Sequence, residues 1–215
     1  MPYPMTHMLI AWRLTEKLPW LECPQDFVLG SIAPDAVHFR EGYEVHNKEA
    51  SHLWHYGPAW GITTESEAWK ENVLAFWNRS KTEKNRDFMA GYCTHLLTDW
   101  MNDRIIWKPF WNSRDKRTEQ AEREYRFEAH EMDQWLWQVS PETAEIWRLL
   151  EQARAWPVEK CITEEELERQ RRSVLTRQFI QKGRIDVSSH KFVTKDIMES
   201  FLAKCVERIP EEMKL

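Results

Sequence analysis

The sequence predicts an all-α fold, and three observations support this prediction. Several segments of the 215-residue chain carry apolar residues every three and four positions, the spacing of one helix face. No run of alternating β-branched residues bounded by turn signals indicates a strand. Only six glycines occur, and no repeat, low-complexity tract or linker divides the chain. We therefore expect a single multi-helix domain spanning residues 1–215.

The first predicted helix runs from His7 to about Leu18 and is ended by Pro19. From there to about Tyr56, prolines and glycines indicate short helices joined by ordered loops. The N-terminal quarter is thus expected to be helical but frequently interrupted.

The next helices are expected to be longer. Thr64 and Glu67 have the spacing of a capping box for a helix ending near Arg79. A long helix follows from about Glu83 to Trp107, and its inner face is apolar at one end and polar at the other.

The second half of the chain continues the helical pattern. Ser113 is predicted to cap a helix that reaches about Gln138, and Pro141 to open the next helix, which Pro157 ends. Thr163 and Glu166 have the spacing of a capping box that starts another helix. The last predicted helix is amphipathic and is lined by Ile197, Phe201, Cys205 and Ile209.

Composition restricts the classes of function. With 30 Lys and Arg against 35 Asp and Glu, the net charge is −5, which argues against binding of duplex nucleic acid. Four widely separated cysteines indicate reduced thiols and not disulfides or a zinc ribbon. With no signal-like leader and no apolar run of bilayer length, we expect a soluble, cytoplasmic protein. The 13 tryptophans indicate a core filled by large aromatics, with a membrane-docking surface as the alternative.

The histidines are concentrated in the first hundred residues, and one of them forms the sharpest pattern in the chain. His95 and Asp99 are four residues apart, so on a helix an imidazole and a carboxylate point the same way and can converge on one cation. A hydrogen-bonded polar pair would have the same spacing.

Three further patterns accompany this pair. Pro34 precedes Asp35 at a predicted helix start, where a cap is the alternative role. Lys48 lies about one helical turn before His52, a spacing useful for holding phosphate, although a solvated lysine would also explain it. Finally, His7 lies on the first helix, where a purely structural helix has little use for an imidazole.

Together these patterns resemble the zinc-dependent phospholipase C family, helical metal-dependent phosphoesterases that are related to single-strand nucleases. The resemblance rests on Thr6-His7, residues 30–35, Lys48 with Ser51-His52, and Gly91-Tyr92 leading into His95 and Asp99, in family order over roughly the first hundred residues. The later half adds only helical character. The resemblance implies a phospholipase C-like fold with its metal site mainly within residues 1–110.

The resemblance also implies a site and a reaction. The metal ligands it implies are His7, Asp35, His52, His95 and Asp99. Two Zn²⁺ ions, or three, are expected, with iron, manganese or nickel as alternatives. Asp99 would bridge two ions that share a hydroxide as the nucleophile on phosphorus. Asp35 would also accept a proton, and Lys48 or Arg40 would offset charge on a small phosphate ester or a phospholipid.

The sequence departs from the family at the third ion. Position 105 is Ile105 instead of histidine, and His130 is followed four residues later by Gln134 instead of glutamate. His130 with Asp133, or Asp103 one turn beyond Asp99, could supply a modified third site, and exposed polar helix faces are the alternative. The expected function is therefore a metal-dependent phosphoesterase. The alternatives are a metal-binding protein that has lost catalysis and a helical interaction module without metal.

Overall fold

The structure, a computed structural model, describes residues 2–180 and 183–215. All regular secondary structure in these two ranges is helical apart from two isolated β-bridges, which confirms the all-α prediction. Within the same ranges, no helix combines the length and the apolar composition needed to cross a bilayer.

The structure contains the following α-helices in chain order. They are α1 (Pro4–Thr15), α2 (Pro24–Gly30), α3 (Val45–Ser51), α4 (Ser66–Ser80), α5 (Arg86–Asn102), α6 (Lys108–Asn112), α7 (Glu119–Val139), α8 (Thr143–Gln152), α9 (Glu164–Ser173) and α10 (Lys195–Met213). A 3₁₀ helix spans Ala33–Phe39, and π-helical turns span Asp103–Trp107 and Val174–Gln178. The first π turn joins α5 to α6, so the predicted long helix continues beyond Asn102 with altered geometry.

Several predicted helix starts were wrong by a few residues. Helix α4 begins at Ser66 without a side-chain cap, because the Thr64 hydroxyl donates instead to the carbonyl of Tyr56. Helix α7 begins at Glu119 and is capped by the Thr118 hydroxyl. Ser113, the predicted cap, donates to a carbonyl of the preceding helix. The Thr64 and Ser113 hydroxyls each bond a carbonyl that precedes them in the chain, a contact that the spacing rule does not consider.

The boundaries of α1 and α8 also differ, whereas the start of α9 agrees. Helix α1 runs from Pro4 to Thr15, and α8 runs from Thr143 to Gln152, so Pro157 lies beyond its end. At α9, Thr163 and Glu166 form the predicted capping box, with a hydrogen bond in each direction. That box is confirmed.

The close crossing of α2 and α5 fixes the centre of the fold. A Cβ atom at Gly30 would lie 2.2 Å from the carbonyl oxygen of Phe88, and one at Gly91 would lie 2.0 Å from that of Phe27. Only glycine permits this approach of two backbones. The crossing brings Ser31, at the end of α2, against the polar half of α5.

The core is rich in aromatic side chains. All 13 tryptophans are buried or pack, partly buried, against the buried apolar cluster. This placement agrees with the core interpretation of the tryptophans. Helix α5 is buried along nearly its whole length, so its polar residues are largely removed from solvent.

Candidate metal centre

The five predicted metal ligands come together at the polar half of α5. His95 and Asp99 lie on α5, His7 on α1, Asp35 on the 3₁₀ helix, and His52 directly after α3. Asp35 is partly exposed, and the other four are buried. They form two ligand groups that share His95, namely His7–His95–Asp99 and Asp35–His52–His95. We call these five residues the His/Asp cluster.

The spacing of the cluster suits a shared cation. Nε2 of His7 lies 3.5 Å from Oδ1 of Asp99, and Nε2 of His52 and of His95 lie 3.5 Å and 3.7 Å from its Oδ2. Nε2 of His52 also lies 3.5 Å from Oδ1 of Asp35. Ligands on a tetrahedral zinc ion are about 3.4 Å apart, given zinc–nitrogen bonds of roughly 2.05 Å.

Backbone carbonyls set the tautomers of two histidines. Nδ1 of His95 lies 2.8 Å from the carbonyl oxygen of Ser31, and Nδ1 of His52 lies 3.0 Å from that of Lys48. A carbonyl can only accept, so each Nδ1 carries the proton and each Nε2 presents a lone pair. These two Nε2 atoms face each other at 3.2 Å. Metal-binding histidines are usually oriented in this way by a carbonyl partner.

Other buried polar atoms of the cluster lack hydrogen-bond partners among the described residues. Among the described residues, no hydrogen-bond partner is found for either carboxylate oxygen of Asp99 or either ring nitrogen of His7. An unsatisfied buried polar group costs about 1–3 kcal/mol, and more when it is charged. A cation bound here would satisfy the Asp99 carboxylate and one ring nitrogen of His7, so the residues present fit a metal ion.

Burial also shifts the ionisation of the cluster. It raises the pKa of Asp99 to about 6 and lowers that of His52 to about 3. Burial likewise lowers the pKa of His7 well below its usual value, and the neighbouring His95 adds to this effect. The imidazoles of His7 and His52 are therefore neutral, as metal binding requires.

Lys48 controls the charge of Asp35. Its Nζ lies 2.8 Å from Oδ1 of Asp35 and 3.1 Å from Nε2 of His38. Burial alone would raise the pKa of Asp35, but the positive charge of Lys48, together with the neighbouring His38 and His52, holds it well below its usual value. Burial would lower the pKa of Lys48, but the Asp35 carboxylate outweighs burial and raises it. Both partners are therefore charged.

A cavity of about 620 Å³ opens onto one side of the cluster. Asp35, Lys48 and Asp99 line it, whereas the histidine ligands lie behind them. Aromatic side chains form much of the remaining wall, among them Tyr3, Tyr43, Trp60, Trp107, Tyr125 and Phe179. The cavity thus joins an apolar wall to a charged end.

No protein-family model, curated protein or solved structure matches this chain significantly. The arrangement of the His/Asp cluster is what indicates a metal centre in this chain.

The structure does not support the predicted third ion at His130 and Asp133. The Asp133 carboxylate accepts hydrogen bonds from the backbone N–H groups of Met5 and Thr6, at 3.0 and 2.8 Å, and from the Thr6 hydroxyl at 2.8 Å. It therefore caps α1, which carries His7. His130 is exposed and packs edge-on against Tyr3.

Asp103 and Arg40 also have partners other than those expected. Asp103 pairs with Lys108 at 2.8 Å and belongs to neither ligand group. The Arg40 guanidinium binds Glu166 at 2.7 Å and the carbonyl of Cys161 at 2.8 Å, so it is committed to α9. Of the two cations that the resemblance implied, these contacts leave Lys48 beside the cluster.

Two functional features of the site were not predicted. His38 contacts Lys48 and lies 3.6 Å from Oδ1 of Asp35, and its position three residues after Asp35 was the available signal. The Ser31 carbonyl orients His95, and no side-chain pattern could show that. His190 lies outside the cluster, bonded to Glu131 and to the carbonyl of Val193.

Proposed function

We propose that the protein is a metal-dependent hydrolase of phosphate esters, similar in fold and chemistry to phospholipase C. One observation carries the proposal: the Nε2 lone pairs of His52 and His95 face each other at 3.2 Å beside the buried carboxylate of Asp99. Buried acceptors in such contact repel one another unless a cation binds at least one of them. In this proposal, the cation is a divalent metal ion.

The ligand chemistry favours zinc. Imidazole and carboxylate donors suit Zn²⁺, and they also suit iron, manganese and nickel. Because Nε2 of His95 has one lone pair, His95 can serve only one ion at a time. A second ion would then depend on Asp35, His52 and the free oxygen of Asp99, which would make Asp99 a bridging ligand.

The chain supplies the remaining groups for hydrolysis. Bound divalent ions would lower the pKa of water and offset negative charge on a phosphoryl group. Asp35, kept ionised by Lys48, is placed to accept a proton from the attacking water. The Lys48 ammonium is placed to donate to a phosphoryl oxygen in the cavity.

The cavity also bears on the substrate class. Its volume of about 620 Å³ accommodates an organic group as well as a phosphate. The aromatic wall would contact that group, and the charged end would bind the phosphate. We propose a small phosphate ester or a phospholipid as substrate. The four cysteines are unpaired, which fits a reducing compartment such as the cytoplasm.

An activity screen tests the proposal. Purified zinc-loaded protein is assayed on a phosphomonoester, a phosphodiester, a phospholipid and single-stranded nucleic acid, each with and without chelator. We expect hydrolysis of at least one ester that chelator removes and added metal restores. Metal binding without turnover on any substrate would favour the alternative, a non-catalytic metal-binding protein.

A further inference from the structure

The Lys48 ammonium already occupies the Asp35 carboxylate. Its Nζ lies 2.8 Å from Oδ1 of Asp35, the oxygen that lies 3.5 Å from Nε2 of His52. The Lys48 side chain is 12% exposed, so water competes only weakly with this ion pair. The oxygen that the Asp35–His52–His95 group would offer to an ion is therefore bound to a cation of the chain itself.

The two ligand groups are unequal. Asp99 contacts three histidines, and in the described part of the chain none of its ion-pair contacts is with a lysine or arginine. The His7–His95–Asp99 group is thus free of a competing ammonium. When His95 serves this first group, the second position depends on Asp35 and His52. There an ion must compete with the Lys48 ammonium for the Asp35 carboxylate.

The local charge also indicates that the first ion binds more readily than the second. Asp35 and Asp99 together carry two negative charges and Lys48 carries one positive charge, so one divalent ion already reverses the sign of the local charge. A second divalent ion at a buried site would add repulsion that water cannot screen. An anion entering the site together with that ion would remove the repulsion.

We propose that Lys48 makes the second metal ion depend on a bound phosphate group. This inference rests on the proposed function. Without an anion, Lys48 stays on Asp35, and the cluster holds one ion tightly at His7, His95 and Asp99. The cavity is lined by both Lys48 and Asp35, so a phosphate group that enters it can draw the ammonium to its own oxygens. Asp35 is then released as a ligand for the second ion.

Metal binding in equilibrium dialysis tests this inference without an activity assay. Mn²⁺ is titrated into the wild type and into Lys48→Met, each with and without inorganic phosphate. The control is Lys70→Met, since Lys70 pairs with Glu67 and Glu212 away from the cluster. Lys48→Arg keeps the positive charge and serves as a second variant if Lys48→Met is unstable.

In the wild type and in Lys70→Met, we expect one tight ion and a second that phosphate strengthens by about tenfold, an ordinary coupling between two sites. In Lys48→Met, the second ion should bind about as tightly without phosphate as the wild type binds it with phosphate. Lys48→Arg should retain a weak second ion. One tight ion with no effect of phosphate or of Lys48→Met would overturn this inference and leave the proposed function standing. No bound ion in any protein would overturn both.

Discussion

His52 and His95 point their Nε2 atoms at each other across 3.2 Å, although they lie 43 positions apart in the chain and neither ring is exposed. The carbonyls of Lys48 and Ser31 hold their Nδ1 protons, so two lone pairs meet. Two buried lone pairs in contact are unfavourable in a hydrophobic core. We propose that a metal ion is the missing partner of these lone pairs.

Asp99→Asn should have opposite effects on stability with and without metal. Without metal, the buried carboxylate has no hydrogen-bond donor among the described residues, and an amide could donate to Nε2 of His52 or His95. The metal-free variant should therefore be about 1–3 kcal/mol more stable than the wild type. With zinc it should be less stable, because a ligand is lost. Urea unfolding with chelator and with zinc measures both effects.

Asp103→Asn is the matched control for the opposite effects expected of Asp99→Asn, because Asp103 pairs with Lys108 outside both ligand groups. Its effect on stability should be the same with and without zinc. Equal effects of zinc on Asp99→Asn and on Asp103→Asn would contradict the assignment of Asp99.

Metal affinity should weaken in acid, with Asp99 as the group that titrates. Burial raises the pKa of Asp99 to about 6, so the charged form that binds a cation is present above this pH and is lost as the pH falls through it. The pKa of His52 is lowered to about 3, so its ring does not bind a competing proton in this range. We expect the affinity to fall by about tenfold per pH unit below 6. Isothermal titration with zinc from pH 7 to pH 5 measures it, and a constant affinity would refute the role of Asp99.

Asp133→Ala should destabilise the fold because Asp133 caps α1. The variant leaves the backbone N–H groups of Met5 and Thr6 without an acceptor, and the loss should be about 2–4 kcal/mol. His130→Ala should change stability by less than about 0.5 kcal/mol, since His130 is exposed. Neither variant should lower the number of bound ions in the folded protein. A lower zinc content in folded His130→Ala would contradict this account and support the third metal site that the sequence suggested.

Gly91→Ala should weaken the crossing of α2 and α5. Its Cβ would lie 2.0 Å from the carbonyl oxygen of Phe27, so the two helices must separate. We expect a loss of about 1–3 kcal/mol, the usual cost of overpacking. Because the crossing also places the Ser31 carbonyl on His95, zinc affinity should fall as well. Unchanged zinc affinity in a destabilised variant would show that Ser31 does not orient the ligand.

Local patterns in the sequence were sufficient to predict the helical class, one pair of site residues and one helix cap. The pair His95 and Asp99 follows from helix geometry alone, and the capping box at Thr163 and Glu166 involves only neighbours. The helical class follows from spacing in the same way. His7, Asp35 and His52 could be placed with this pair only through the resemblance to a family.

Long-range contacts could not be predicted. Asp133 was singled out by its spacing from His130, but its actual partner Thr6 lies 127 positions earlier in the chain. The ion pair of Lys48 and Asp35 depends on how α3 packs against the 3₁₀ helix, and the tautomer of His95 depends on a backbone atom. Side-chain patterns carry no information on such contacts.

The zinc content of the purified protein and of His95→Ala tests the central claim most directly. His190→Ala is the control, since His190 lies outside the cluster. After removal of loosely bound metal, the wild type and His190→Ala should hold at least one zinc ion, and zinc should raise their thermal stability. His95→Ala should hold none while keeping its helical circular dichroism spectrum. Equal zinc content in all three proteins, or no zinc and no thermal shift in the wild type, would contradict the account.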